Sequence, residues 1–478
     1  MDLSKRAVRL LGAAAIGAAS ILTMMALDHS MAEAGDLEGS ASGGEVQVAI
    51  FQADVTPPVG SPVAYAPARS ITDPLSARGI VLLGSGSPIV LCAVDWIGIG
   101  NEGQDRWKKQ LALAAGTSAD RVAVHTLHQH DGPRCDFSAE RLLATQDLDG
   151  LHFDDEFAQE AIEATAVAIR EAIGEAQPVS HIGVGLARVE RVASNRRILG
   201  EDGKVRLGRM SSTRDPQAIE APEGVIDPLV RVVSLWNEGQ PLACLTYYAT
   251  HPQSYYGQGD VTPDFVGLAR NLRQKETDGL PHIHFNGAGG NIAAGKYNDG
   301  SPENRPILMQ RLADGMRRAW EQTQRYPLSA DEVDWRVTAV ILPLAEHLDP
   351  ARLRQTLDDP KANPRGRLSA ALKLAYWDRH CLNQPILLSC LKIGPVSILH
   401  MPGELFVEYQ LAAQEMQPDR FICMAAYGDY GPGYIGTAIA YQQGGYETQP
   451  SSSNVSPEVE RQLMDSIGHL LNVSSDGR

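Results

Sequence analysis

Short apolar runs alternate with stretches of helical periodicity along almost the whole of this chain, which restricts it to a body of sheets covered by helices. Runs at 46–51, 79–83, 89–94, 121–125, 230–236 and 243–248 read as strands. Later runs at 283–285, 335–342, 386–393, 396–400 and 420–425 read the same way. One apolar stripe through Phe157, Ala161, Ile162, Ala164, Ala168, Ile169 and Ile173 marks a helix over 154–176. Ile307, Leu308, Leu312, Met316 and Trp320 mark another over 303–323. Further helices are expected near 350–376, 404–416 and 457–471, the last opened by the serine cap and proline of Ser456-Pro457-Glu458. There is no Pro/Gly/Ser-rich boundary and no visible internal repeat. The expectation is a single large α/β or α+β domain over 46–472, with mixed β-sheets covered by helices.

The 478 residues are 43% hydrophobic and 21% charged, ordinary for a globular chain with a large core. A net charge of −16 argues against a nucleic-acid binder, because no basic field attracts phosphate. No amphipathic helix is strong enough to mark a membrane-docking device, so a membrane surface as partner has no support in the sequence, which also sets no oligomeric state. Lys5, Arg6 and Arg9 precede an apolar stretch over 10–27, and Ala32-Glu33-Ala34 then offers a small-x-small cleavage site. Residues 1–34 therefore read as an export signal to the periplasm or the exterior, the alternative being an uncleaved membrane anchor; 35–45 read as a flexible leader. Six scattered cysteines form no Cys-x-x-Cys, which excludes a zinc ribbon or a thioredoxin motif. Cys92, Cys244, Cys390 and Cys423 read as buried, Cys135 and Cys381 as the less buried pair.

Candidate chemistry concentrates where apolar runs end. His128-Gln129-His130-Asp131-Gly132-Pro133 places two imidazoles two residues apart. In a strand both would face one side, the way a transition-metal site is commonly begun; otherwise they hydrogen-bond the loop. His251 ends another run before Pro252, as a cleft-facing ligand or a capping histidine. Glu404, after Met401-Pro402-Gly403, opens a helical pattern, either as a helix-start acid or as an oxygen ligand. Tyr427-Gly428-Asp429-Tyr430-Gly431-Pro432-Gly433-Tyr434, with Tyr441 and Tyr446 beyond, reads as an aromatic loop approached closely by something. A metal lowers a phenol's pKa enough to make tyrosine a ligand. Phe285-Asn286-Gly287-Ala288-Gly289-Gly290-Asn291 is a strand running into a glycine turn, either sterically required or offering amides to an oxyanion. It is no phosphate loop, since no Gly-Lys-Ser/Thr follows.

Taken in order, these segments resemble the neutral/alkaline, non-lysosomal ceramidase family. The resemblance begins at Ala53-Asp54-Val55-Thr56-Pro57-Pro58-Val59-Gly60 and continues through Asp73-Pro74-Leu75-Ser76-Ala77-Arg78 and Val94-Asp95-Trp96-Ile97-Gly98-Ile99. Residues 128–133, Asn195-Arg196, His251-Pro252, Gly290-Asn291, Pro402-Gly403-Glu404 and Tyr434-Ile435-Gly436-Thr437 follow in the family's order, over roughly 46–450. The resemblance implies one Zn²⁺ held by His128, His251, Glu404 and Tyr434. It implies His130 as a hydrogen-bonding or proton-handling neighbour, Arg196 at the substrate or the developing oxyanion, and Tyr446 near the scissile bond. Gly289, Gly290 and Asn291 are expected to supply oxyanion contacts. The activity implied is metal-assisted hydrolysis of an amide, with a small-molecule or lipid amide as substrate.

Two departures stand out. Ala293 occupies the position of a serine in the family's Gly-Asn-x-Ser-Pro-Asn-like motif, and the C-terminal β-sandwich of many members looks absent. The alternatives are a metallo-esterase or other hydrolase acting on a polar substrate, and a non-catalytic metal-containing binding protein.

Overall fold

Each of three sheets ends in one parallel pair of strands, and the three pairs aim their carboxyl ends at one place. In the first sheet Gln47–Asp54, Ser76–Leu83 and Ile89–Val94 run antiparallel to their neighbours, and Val122–Thr126 joins Ile89–Val94 in parallel, with Val94 beside Thr126. In the second, His181–Arg188, Leu229–Asn237 and Gln240–Tyr248 alternate in direction, and His282–Asn286 is parallel to Gln240–Tyr248, with Tyr248 beside Asn286. In the third, Val333–Val340, Ile386–Ile393 and Val396–His400 alternate, and Phe421–Ala425 is parallel to Val396–His400, with His400 beside Ala425. A parallel partner needs a crossover. The crossovers carry the helices Glu102–Ala115, Asp264–Glu276 and Val407–Met416. The sequence shows no repeat, yet the architecture repeats one βαβ unit in every sheet.

The computed structural model describes residues 45–473, so the expected signal and all of the leader except Glu45 lie outside the described residues. The strand expectations hold closely; 89–94, 386–393 and 396–400 match to the residue. The helix expected over 154–176 runs Asp155–Ile173, and 303–323 becomes Asn304–Glu321. The stretch near 350–376 is two helices, Pro350–Asp358 and Pro364–Cys381, each with proline in its first turn. Among the described residues, no helix is long and apolar enough to cross a membrane.

The two-residue period of the strands sorts their side chains. Ile80, Leu82, Leu91 and Ala123 of the first sheet meet Val233, Leu245 and Phe285 of the second and Leu391, Ile398 and Cys423 of the third in a shared core. Alternate residues face outward and are covered by helices. Val81, Val90 and Val124 pack on Trp107, Leu111, Ile162 and Ile169; Val230, Val232 and Cys244 on Phe265, Leu312 and Met316; Cys390, Leu399 and Met424 on Tyr409, Ile467 and Leu470. Burial on both faces explains why the strands read as continuous apolar runs. Cys135 proves buried on the short strand Arg134–Cys135, which pairs with Gly98–Ile99; only Cys381 is exposed, and none of the six is disulfide-bonded.

Just past Val94, Asp95 forms a fully buried two-pronged pair with Arg270 of the helix Asp264–Glu276, at 2.6 and 2.9 Å. Ser76 adds its N–H and hydroxyl to the same carboxylate, both at 2.8 Å. Burial alone would raise the Asp95 carboxyl, but Arg270 holds it below the usual carboxylate range. The pair's contribution is therefore present at neutral pH and is lost as pH falls through that lowered pKa. Arg270→Met strands the carboxylate and is expected to cost on the order of 3–5 kcal/mol in denaturant unfolding, with Asp95→Leu/Arg270→Met costing less than the single change.

Candidate metal centre

The strand Val122–Thr126 stops before His128, so the two histidines do not share a side by strand alternation. His128 instead has φ +61°, a left-handed conformation unusual for a histidine, which swings its ring inward. Its backbone N–H donates to Trp96 O at 2.9 Å. Gln129 locks the bend, donating from Nε2 to Asp95 O (2.6 Å) and accepting from the Asp131 N–H (2.7 Å). The two imidazoles end 3.2 Å apart, Nε2 to Nε2.

Glu404 is likewise not the start of a helix. It lies on the two-residue strand Glu404–Leu405, which pairs in parallel with Tyr434–Ile435; Glu404 stands directly opposite Tyr434, and the helix begins at Val407. That short bridge delivers a carboxylate and a phenol side by side. His251 arrives from the loop after Gln240–Tyr248 and is wholly buried.

Each parallel pair supplies one of these groups from one strand end and its orienting partner from the other. Past Val122–Thr126, His128 donates from Nδ1 to Ile97 O (2.7 Å), which follows Ile89–Val94. His251 donates from Nδ1 to Gly289 O (2.7 Å), which follows His282–Asn286, and to Ile292 O (3.0 Å). Glu404 Oε1 accepts from the Tyr430 hydroxyl (2.7 Å), which follows Phe421–Ala425. Since carbonyls only accept, the Nδ1 atoms carry the hydrogens and both Nε2 atoms present lone pairs inward.

These lone pairs face oxygens. Glu404 Oε2 lies 3.3 Å from His128 Nε2 and 2.9 Å from His251 Nε2, and the Tyr434 oxygen lies 3.3 Å from His251 Nε2. Ligands about 2.0–2.1 Å from a tetrahedral zinc stand about 3.3 Å from one another, so the three separations match edges of such a shell. Glu404 Oε2 against these two lone pairs is acceptor against acceptor, an arrangement that positive charge between them relieves, as a metal ion would; the Tyr434 hydroxyl and Arg196 Nη1 also reach His251 Nε2. His128, His130 and His251 also form a buried group whose ring nitrogens lie within 4.8 Å of one another, and this group could hold a metal. Burial pushes the Tyr434 phenol well up, against the pull of Arg196.

Arg196 reaches the same cluster, with Nη1 donating to the Tyr434 oxygen at 3.0 Å and lying 3.3 Å from His251 Nε2. Glu447 anchors it at Nε (3.1 Å) and also pairs with Arg197 (3.1 Å). His130 is flanked at Nδ1 by the Tyr65 hydroxyl and the Gln253 amide, both at 2.8 Å, and burial pushes its pKa well below the ordinary histidine value. Tyr446 is 46% exposed and stands edge-on to Tyr434 with ring centres 5.7 Å apart, at the rim of a cavity of about 230 Å³ that His130, Glu404, Tyr430 and Tyr434 also line.

The glycine turn is not among the residues lining this cavity, and one of its amides is already engaged. The Gly290 N–H donates to Leu405 O (2.8 Å), and the Asn291 side chain is engaged by Glu408 and by the Val407 N–H. Glycine is required for close approach: a Cβ on Gly290 would sit 2.2 Å from Glu404 O, and one on Gly289 3.0 Å from the Tyr427 hydroxyl. Gly289 acts through its carbonyl on His251. The Gly290 N–H and the Asn291 side chain are thus held by the backbone and side chains behind the cluster. Ala293 is wholly buried opposite Ser194 and is not on the cavity wall.

Tyr430, Glu447, Gln253 and Tyr65 were not singled out by sequence reasoning. Tyr430 lies within the tyrosine- and glycine-rich loop, but nothing local in the sequence marks its bond to Glu404. Glu447, Gln253 and Tyr65 carry no periodic or motif signal.

Two solved structures share this architecture. Neutral ceramidase from Pseudomonas aeruginosa superimposes with a TM-score of 0.63 at 18% identity, over 89% of this chain and 73% of that one. A ceramidase complexed with C2 gives a TM-score of 0.63 at 16% identity, over 91% and 76%. The fold is that of a neutral ceramidase. No protein-family profile and no curated protein matches the chain.

Within this neutral ceramidase fold, one amide binds the strand ends together. Asn286 Nδ2 donates to Leu127 O (3.0 Å) and Thr250 O (2.9 Å), and its own backbone carbonyl accepts from Ala426 N–H (2.9 Å). Leu127, Thr250 and Ala426 immediately precede His128, His251 and Tyr427. Asn286→Leu leaves two buried carbonyls without a donor and is expected to destabilise the fold by about 2–4 kcal/mol and to lower the metal content of the folded fraction, read by denaturation and elemental analysis. Wild-type values for both would remove Asn286 from this role.

Proposed function

We propose that the chain is an exported zinc-dependent hydrolase that cleaves an amide bond, with the ion held by His128, His251, Glu404 and Tyr434. The observation that carries this reading is the meeting of two imidazole lone pairs, a carboxylate and a phenol at 2.9–3.3 Å, beside a cavity that Glu404 and Tyr434 line. The shared fold and the residues before position 35, which read as an export signal, support it. When bound, the ion supplies Lewis acidity, polarising a carbonyl and lowering the pKa of water near it.

The chain's own groups supply the rest. Arg196, kept charged and aimed by Glu447, faces the point where the scissile carbonyl oxygen gains negative charge, a contribution on the order of 3 kcal/mol. His130, kept neutral by burial, has Nδ1 held by the Gln253 amide, which leaves the hydrogen on Nε2 to donate to the same oxygen. Tyr446 at the rim gives its hydroxyl proton to the leaving nitrogen and recovers one from the attacking water, so that protons balance over the cycle. Burial of the cluster strengthens each of these interactions.

Elemental analysis of the purified chain is expected to find about one zinc per molecule, and chelation to abolish amide hydrolysis and lower the melting temperature. Glu404→Gln is expected to lose metal and activity together; a variant retaining both would remove Glu404 from the shell. Arg196→Met, with metal retained, is expected to lower kcat about 10²–10³-fold with little change in KM, as for loss of an oxyanion donor.

A further inference from the structure

The cavity in front of the cluster carries positive charge that the proposed reaction does not use. Arg134, on the short strand Arg134–Cys135, and Lys373, on the helix Pro364–Cys381, both line it and are both half-buried. Among the described residues neither side chain has an ion-pair or hydrogen-bond partner: Arg134 Nε is buried and unpartnered, and no carboxylate faces Lys373, whose pKa burial lowers. Two uncompensated cations on one wall are costly to maintain, the more notable in a chain of net charge −16. Beside them His152 is 5% exposed, and neither ring nitrogen has a partner.

The acids on the same wall are already engaged. Glu404 belongs to the cluster. Asp136 caps the helix Phe137–Ala144 and accepts from Asn101 Nδ2 at 2.7 Å. The wall's unmet demand is therefore for an anion. Its place relative to the cluster is set by two side chains: the Arg134 guanidinium carbon lies 5.9 Å from the centre of the Tyr65 ring, and the Tyr65 hydroxyl lies 2.8 Å from His130 Nδ1.

We infer that the substrate is a compact amide bearing a carboxylate, which Arg134 and Lys373 hold and His152 hydrogen-bonds while the scissile bond lies at the cluster. The inference rests on the hydrolase reading above and deepens it. A guanidinium with its fork open matches a carboxylate in two-pronged geometry, and Lys373 adds a point charge. A cavity of about 230 Å³ is too small for two long hydrocarbon chains, and its wall mixes Ser369, Ser451 and Asn454 with Leu372, Tyr65 and Tyr446, a lining that suits a short molecule with both polar and apolar parts.

The test uses the zinc-loaded full chain. kcat/KM is measured for short amides with a carboxylate on the amine half (N-acetyl amino acids) or on the acyl half (succinyl and glutaryl anilides). Each is compared with its neutral carboxamide counterpart and with a short-chain ceramide. The carboxylates are expected to be preferred about tenfold or more, and Arg134→Gln and Lys373→Met to draw that ratio toward one through KM. Calorimetric titration with non-hydrolysable ketomethylene analogues is expected to show the same order of affinity. Equal rates for carboxylate and carboxamide, or faster ceramide cleavage, overturn the inference and leave the hydrolase reading standing. Tight binding of the carboxylate analogues with no turnover of any amide overturns the hydrolase reading and leaves the anion subsite. Should one variant fail to fold, the wild-type ratio still decides.

Discussion

The side-chain amide of Asn286 lies where three sheets meet, and the geometry of the cluster depends on it. A strand end is ordinarily a loose place, because its last backbone groups have no ladder to join. Here two backbone carbonyls from different sheets point at one Nδ2, and the amide orientation is dictated because both partners are acceptors. The backbone carbonyl of Asn286 accepts the N–H of Ala426, just past the last strand of the third sheet. The loops carrying His128, His251 and Tyr427 thus leave a common knot, and their side chains have few directions left.

The division of labour within each parallel pair follows from that convergence. Open α/β sheets bind ligands at the carboxyl ends of their strands because crossovers leave a crevice there. In this fold three such crevices are merged into one, and each pair of ends contributes a ligand-type group and the group that orients it. Local strain is concentrated at the same place. His128 and Tyr427, both in the left-handed region, stack with ring centres 4.6 Å apart. Such backbone states cost of order 1–3 kcal/mol each and persist only where packing over-determines them. The buried Asp95–Arg270 pair and the Gln129 bracket provide that packing for the His128 bend.

The architecture was legible because the strands are buried on both faces: continuous apolar runs such as 386–393 and 396–400 admit few other readings. The groups of the cluster were legible as types and as an ordered set. Their settings were not. His128 and His130 were expected to share a face through strand alternation, but the strand had already ended and a backbone torsion did the aiming. Glu404 was expected at a helix start, because the apolar pattern of the helix at Val407 begins nearby; a two-residue strand has no periodicity to show. The glycines at 287, 289 and 290 read as open amides or as a tight turn. Gly290 is glycine because the backbone of Glu404–Leu405 passes against it, and Gly287 and Gly289 because Ala249, Gln410, Thr250 and Tyr427 crowd them, most of these contacts between segments distant in the chain. Tyr430 and Glu447 matter through single long-range contacts, which leave no local trace.

The sequence alone determined the sheets and helices, through periodicity and burial, and the inventory of side chains able to hold a metal, through their position at the ends of apolar runs. Those are local properties, written in neighbouring residues. Only the tertiary structure decided which lone pairs face one another, and that Arg134 and Lys373 share a wall with no ion-pair partner among the described residues. Distances, hydrogen-bond partners and charge compensation are set between residues far apart in the chain, so they exist only once the three sheets have closed on one another.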